Sequence, residues 1–342
     1  FDAFRPGCYP LIGREHSPAF CPNQKTEPPV KGAEFPDSLC DISEKNFWNS
    51  LEIPDECKAS EDLQQALELG QGGKKARGYA RLGRYHRVSL AEEWQVVRHD
   101  LMAGAEPSTR RIDRLLNYRI DGIGGTSVEF ENGFDWNSDR FGPHGFYEFH
   151  RLDWLEPAVR EFVIRGETKL RRFLLDVWSS YYAARNALRW PLEGRHPVYD
   201  QCGLWDRYRP VLHSYMALLN SGQMPTTAAE PLLKLIAGFA RSAARQLKEF
   251  QPVVGHASAC SVLLRVARCF PEYKKAHDWE ELALEQILLH LGEGLYEDGC
   301  HRSRCWGEGW RAVFAFSGRA ISGNPSNCSG GTRTRWKNWP EG

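Results

Sequence analysis

From residue 146 onward, apolar positions return with a helical period. Phe173, Leu174, Val177, Trp178, Tyr181 and Tyr182 fall at i, i+1, i+4, i+5, i+8 and i+9, which is one broad helix face. Leu232, Leu233, Leu235, Ile236, Phe239, Ala240, Ala243 and Leu247 trace a second. Val262, Leu263, Val266, Ala267 and Phe270 trace a third, and Trp279, Leu282, Ala283, Ile287, Leu288 and Leu291 a fourth. Pro- and Gly-bearing turns separate them: Pro191–Gly203, Ser221–Pro225, Gln251–Gly255 and Phe270-Pro271. No strand-length alternation competes here. Helix following helix through short connections predicts antiparallel hairpins, and several of them predict a mainly α toroid or bundle. The sheet content should not exceed two or three strands. An open solenoid is the alternative, but no fixed repeat length is visible.

The flanks read differently. Residues 1–60 are rich in Pro, Cys and charge and read as an irregular arm packed on the main body. Residues 61–120 carry short helical signals, such as Asp62 to Leu69 with Gly70 as a stop. A Gly-rich polar stretch follows at 121–145. From Ser317 to Gly342 the one branched aliphatic residue is Ile321, so 317–342 is expected to be an exposed, unstructured tail. The helical domain then occupies 61–316.

Composition narrows the function. The 342 residues carry 44 Lys+Arg against 44 Asp+Glu, a balance that excludes a protein coating nucleic acid while leaving room for a local basic cleft. No apolar run reaches the roughly 18 residues needed to cross a bilayer. Twelve Trp, 12 Tyr and 17 Phe suit a large core, a ring-binding cleft, or both. Ten Cys contain no C-x-x-C pair; Cys260 and Cys269 read as buried thiols, and Cys8, Cys21, Cys40 and Cys57 can pair if the protein is exported. A chain opening on Phe1 reads as a processed or excised piece.

Three clusters mix aromatic, cationic and acidic residues. Trp136, Arg140, Tyr147, His150, Arg151 and Trp154 lie at a loop-to-helix entry, with Tyr147, His150, Arg151 and Trp154 at i, i+3, i+4 and i+7. Such a stripe suits a uronic acid: Trp stacks on the ring and Arg binds the carboxylate bidentately. A helix cap with an amphipathic packing face is the alternative. Arg195, His196, Tyr199, Trp205 and Arg209 form a second group between two helices. His301 and Arg302 sit beside Cys300 and Cys305, whose spacing matches no zinc pattern, so no metal and no cofactor is called for.

His256 ahead of an apolar helix, then Cys269-Phe270-Pro271-Glu272-Tyr273-Lys274, Trp279 and Leu295-Tyr296-Glu297-Asp298-Gly299 complete a pattern. Over roughly 85–310 it resembles the heparinase II/III-like polysaccharide lyases. The resemblance implies an incomplete (α/α) toroid, a periplasmic or secreted location and an acidic polysaccharide as partner. It implies β-elimination on a uronate, with an Asn-His pair neutralising the carboxylate and a Tyr as base and proton donor. His256 matches the His. Gly255 stands where the family has Asn, and the stretch Trp306 to Trp310 holds no Tyr. These departures imply a weak or inactive enzyme, unless Tyr147, Tyr199 or Tyr208 takes the base's place. A non-catalytic glycan-binding toroid or truncated catalytic fragment, and a glycoside hydrolase using two carboxylates from among Asp135, Asp139, Glu148, Asp153, Glu193 and Asp206, are the competing readings.

Overall fold

The computed structural model describes residues 43–103, 107–185, 187–188, 198, 203–222, 224–249 and 256–294. The tail at 317–342 lies outside the described residues. Ser43 opens α1 (Glu44–Asn49) by accepting a hydrogen bond from the Asn46 amide. This helix falls at the end of the stretch read as an irregular arm, and its Phe47 and Trp48 are buried in the core. Helix α2 (Glu61–Gln71), capped by Ser60, turns through Gly72 and Gly73 into α3 (Lys75–Ser89).

Gly70, read from sequence as a stop, lies inside α2. Its role is packing: the Trp48 indole occupies the space a Cβ there would need, and Gly78 of α3 approaches Gly70 from across the hairpin. A Gly70→Ala variant should therefore lose about 1–3 kcal/mol to overpacking, although alanine favours helix. Urea unfolding measures this; an unchanged or raised midpoint would show that the indole is free to move aside.

Helix α4 (Ala91–Ala103) and α5 (Thr109–Leu116) lead into an antiparallel hairpin of β1 (Arg119–Ile123) and β2 (Thr126–Glu129), with Ile120 opposite Val128. It is the one sheet among the described residues and fills part of the Gly-rich stretch. Then come α6 (Gly142–Arg151), a 3-10 turn (Asp153–Leu155), α7 (Glu156–Arg165) and α8 (Thr168–Ala184). The second half consists of α9 (Leu204–Asn220), α10 (Thr226–Glu249), α11 (His256–Cys269) and α12 (Ala276–Gly294).

Helix α10 is the hub. Its 24 residues span about 36 Å and touch α3, α8, α9, α11 and α12. Leu232, Leu235, Ile236, Phe239, Ala240 and Ala243 are all fully buried, as expected for a helix enclosed by others. Short connections set neighbouring helices antiparallel, so the chain forms a mainly α toroid of helical hairpins.

One polar tie runs through this apolar interior. His86 of α3 places Nδ1 2.5 Å from the Tyr215 hydroxyl of α9 and Nε2 2.6 Å from the Glu272 carboxylate, in the turn between α11 and α12. His86, Tyr215 and Glu272 are all essentially unexposed. Phe270 packs edge-on against the His86 ring. The Phe270-Pro271-Glu272 turn thus anchors three parts of the toroid at once.

Candidate functional site

Trp136 and His150, expected at a sugar-binding surface, belong to the core. Trp136 stacks on Phe149 at 5.1 Å and meets Tyr181 edge-on at 4.8 Å. Its Nε1 donates to Ser180 Oγ, and its carbonyl lies 2.9 Å from His150 Nε2. His150 has no exposed surface. Aromatic groups with their polar tips satisfied internally are packing elements here. Trp154 does not extend the Tyr147–Arg151 face either. Leu152 adopts φ +64 and ends α6, and Trp154 follows in the 3-10 turn, its Nε1 donating to the Phe149 carbonyl.

Arg140 is exposed beside the hairpin, where it donates to the Glu129 carbonyl and lies 5.9 Å from the Phe130 ring. Arg195, His196, Tyr199, His301 and Arg302 lie outside the described residues. His256 begins α11, but its side chain is not among those described.

Tyr147, Arg151, Trp205 and Arg209 do come together. The end of α6, the start of α7 and the start of α9 converge on one seam. Gly203 opens α9 at φ +71, and a Cβ on it would stand 2.9 Å from the Tyr147 hydroxyl and 3.5 Å from Asp206 Oδ2. Arg151 pairs with Asp206 at 3.0 Å. Arg209 pairs with Glu156 at 2.7 Å, and His213 Nδ1 lies 3.4 Å from the same carboxylate oxygen. Arg265 of α11 pairs with Glu93 of α4 and stacks 5.7 Å from the Trp205 ring. Arg207, between Trp205 and Arg209, is fully buried.

The carboxyls of this seam sit in different electrostatic surroundings. Burial pushes Asp153 above the ordinary carboxylate value, and the Arg151 charge only partly offsets it. Burial also opposes ionisation of Glu156, but His213 and Arg209 together hold it below its ordinary value. Burial pushes His213 down, outweighing the pull of Glu156, so the ring is neutral at neutral pH. The Arg151 guanidinium stays charged because Asp206 and Asp153 outweigh its desolvation. Asp206 and Glu156 thus pair with the two arginines and balance their charges in the seam.

His256 starts α11 at the same end of the toroid. Trp205 faces Arg265 and Tyr215 faces Phe270, so α9 and α11 run parallel. His256 precedes Arg265 by nine residues, about 14 Å along the helix axis.

Sequence reading missed Glu93, Glu156, His213 and Arg265 in this seam and the His86–Glu272 tie outside it. Glu156-Pro157 does carry a local signal, that of a helix start, but its pairing with Arg209 spans 53 positions. Cys57, considered for a disulfide, is a free thiol 3.3 Å from the Tyr85 hydroxyl. Cys260 and Cys269 are free and buried. Among the described residues, no group of three His, Cys, Asp or Glu is placed to hold a metal ion, and no helix is long and apolar enough to cross a membrane.

No family model and no curated protein matches the sequence. Solved structures match the fold. The heparan sulfate lyase HepC from Pedobacter heparinus superposes with a TM-score of 0.58 over 76% of this chain at 13% identity. A heparinase III structure gives 0.55 over 76% of the chain at 14% identity. The chain spans about two fifths of their length, 41% and 40% respectively. At such identity the likeness is one of architecture: the chain has the helical toroid found in heparinase III and heparan sulfate lyase structures.

Proposed function

We propose that the chain is a polysaccharide lyase, slow in this form, that cleaves an acidic, uronate-containing glycan by β-elimination. The observation that carries this reading is the toroid shared with heparan sulfate lyases. Elimination removes a weakly acidic C5 proton next to a carboxylate, so the carboxylate must be neutralised and a base must reach C5. In this reading His256 supplies one hydrogen bond to the carboxylate, and Arg151 holds the acidic sugar while Trp205 flanks it. Tyr147 takes the base's part; it is partly exposed beside Arg151, whereas the Tyr208 hydroxyl is sealed in the core. Gly255 has no side chain for the second hydrogen bond, and losing one such donor costs about a hundred- to a thousand-fold in rate. We read the protein as exported, where such glycans are met.

A non-catalytic glycan-binding toroid is the second reading. The pairing of Arg151 with Asp206 and of Arg209 with Glu156 favours it, since both cations already hold carboxylates.

The test is incubation of the full chain with heparan sulfate and with unsulfated polyuronates, following the ultraviolet absorbance of the new C4=C5 bond. A slow rise abolished by His256→Ala is expected. New reducing ends without absorbance would make the chain a hydrolase. Binding with neither product would make it a binding toroid.

A further inference from the structure

We propose that the outer face of α3 is a second docking strip for the acidic glycan, an assignment that rests on the acidic-glycan reading above but not on its elimination chemistry. Residues 74–89, which are α3 and the residue before it, carry Lys74, Lys75, Arg77, Arg81, Arg84 and Arg87 and no Asp or Glu. The other 326 residues are left with 38 Lys+Arg against 44 Asp+Glu, a net charge of −6. Positive charge is thus concentrated on one element of a neutral chain. A polyanion is drawn to that element and repelled by much of the remaining surface.

Tyr79, Leu82, Tyr85 and His86 bury the inner face of the helix. Arg77, Arg81 and Arg84 fall at i, i+4 and i+7 on the outer one. Val88 continues their row at i+11 and is 79% exposed, so no described element covers it. Asp62 of α2 reaches the strip, with Oδ1 2.8 Å from Arg81 and 3.5 Å from Arg84, so one carboxylate serves two guanidiniums. Lys74 and Arg77 join no ion pair among the described residues. At its start the strip borders a hollow of about 190 Å³ lined by Lys45, Gln71 and Lys75.

The strip is separate from the seam. Arg87 donates to the Leu219 carbonyl at 3.1 Å, near the end of α9. The seam lies at the start of that helix. Trp205 precedes Leu219 by 14 residues, about 21 Å along the axis. From Arg77 to Arg87 the strip runs about 15 Å. Each exposed pair with an anion is weak by itself, so the ligand that gains from such a row is a polymer with repeated negative charges. A long glycan chain held here keeps its other sugars near the seam.

The test measures binding of heparan sulfate to the full chain by titration calorimetry. The parent is compared with a triple variant, Lys74→Gln, Arg77→Gln and Arg84→Gln. A second triple, Arg98→Gln, Arg110→Gln and Arg172→Gln, removes the same charge from exposed positions on α4, α5 and α8. At about 0.05 M salt the α3 triple should bind about tenfold more weakly, and the second triple within about twofold of the parent. The difference should vanish near 1 M salt, where the screening length is about 3 Å. Both triples should melt within a few degrees of the parent, which shows that the loss is not unfolding. Equal weakening in the two triples would remove the strip, since net charge alone would explain it. Single-stranded DNA of matched charge bound as tightly as heparan sulfate would make the face a nucleic-acid surface and overturn the glycan assignment. Unsaturated product from the parent, with undiminished binding by the α3 triple, would remove the strip and leave the lyase reading in place. Weakened binding by the α3 triple, with no unsaturated product from the parent, would do the reverse. A parent that binds no heparan sulfate would remove the strip.

Discussion

A Glu272→Ala variant should unfold with about 3–5 kcal/mol less stability than the parent chain, the cost of removing one partner from a buried polar pair. Glu272 and His86 are almost without exposure, and their contact is 2.6 Å. Without the carboxylate, His86 Nε2 faces an apolar interior lined by Phe270, and no water replaces the lost partner at no cost. The damage should reach three elements, because the same imidazole meets Tyr215 on its other nitrogen. Guanidinium unfolding of the purified chain measures the loss. A double variant, His86→Leu with Glu272→Leu, should recover part of it, since replacing both partners leaves no orphaned group. A single-variant loss below about 1 kcal/mol would mean that the pair is solvated and that the Phe270-Pro271-Glu272 turn is not an anchor.

Trp136→Ala should be of similar size, about 3–5 kcal/mol, and should act on stability rather than on glycan affinity. The indole is 4% exposed, stacks with Phe149 and lies edge-on to Tyr181, so truncation opens a cavity among rings that cannot all collapse into it. A sugar platform would behave in the opposite way, with an unchanged melting temperature and weakened binding. Measuring both on the same variant separates the two roles. Trp205→Ala is the contrast: that ring is only partly buried, so it should cost less stability and more glycan binding.

The difference between Trp136 and Trp205 marks what the sequence could and could not reveal. Helix faces such as Phe173–Tyr182 or Leu232–Leu247 were legible because their period is local and the core follows from it. The toroid followed from short turns between such faces. A stripe of Trp, Tyr, His and Arg, however, looks the same whether it lines a cleft or a core, and only tertiary burial decides. The hairpin at Arg119–Glu129 was hidden because its Gly-rich turn lies inside a stretch with little alternation. Gly70 gave a stop signal that was in fact a packing requirement from Trp48, 22 positions earlier in the chain. Arg151 and Arg209 fell in two separate sequence clusters that the fold brings to one seam, and their pairing with Asp206 and Glu156 was not foreseen. Carboxylates chosen by the fold, such as Asp206 for Arg151, leave no mark in the local pattern.

The tie among His86, Tyr215 and Glu272 also sets an order of events during synthesis. His86 leaves the ribosome 186 residues before Glu272 does. At about 5–20 residues per second, the imidazole waits roughly 10–40 s for its carboxylate. Throughout that interval helix α3 carries a polar group that the finished toroid will bury, so its apolar face cannot settle permanently against α9 and α10. Vectorial folding of this chain is therefore provisional in its first half, and becomes final only when the turn after α11 emerges.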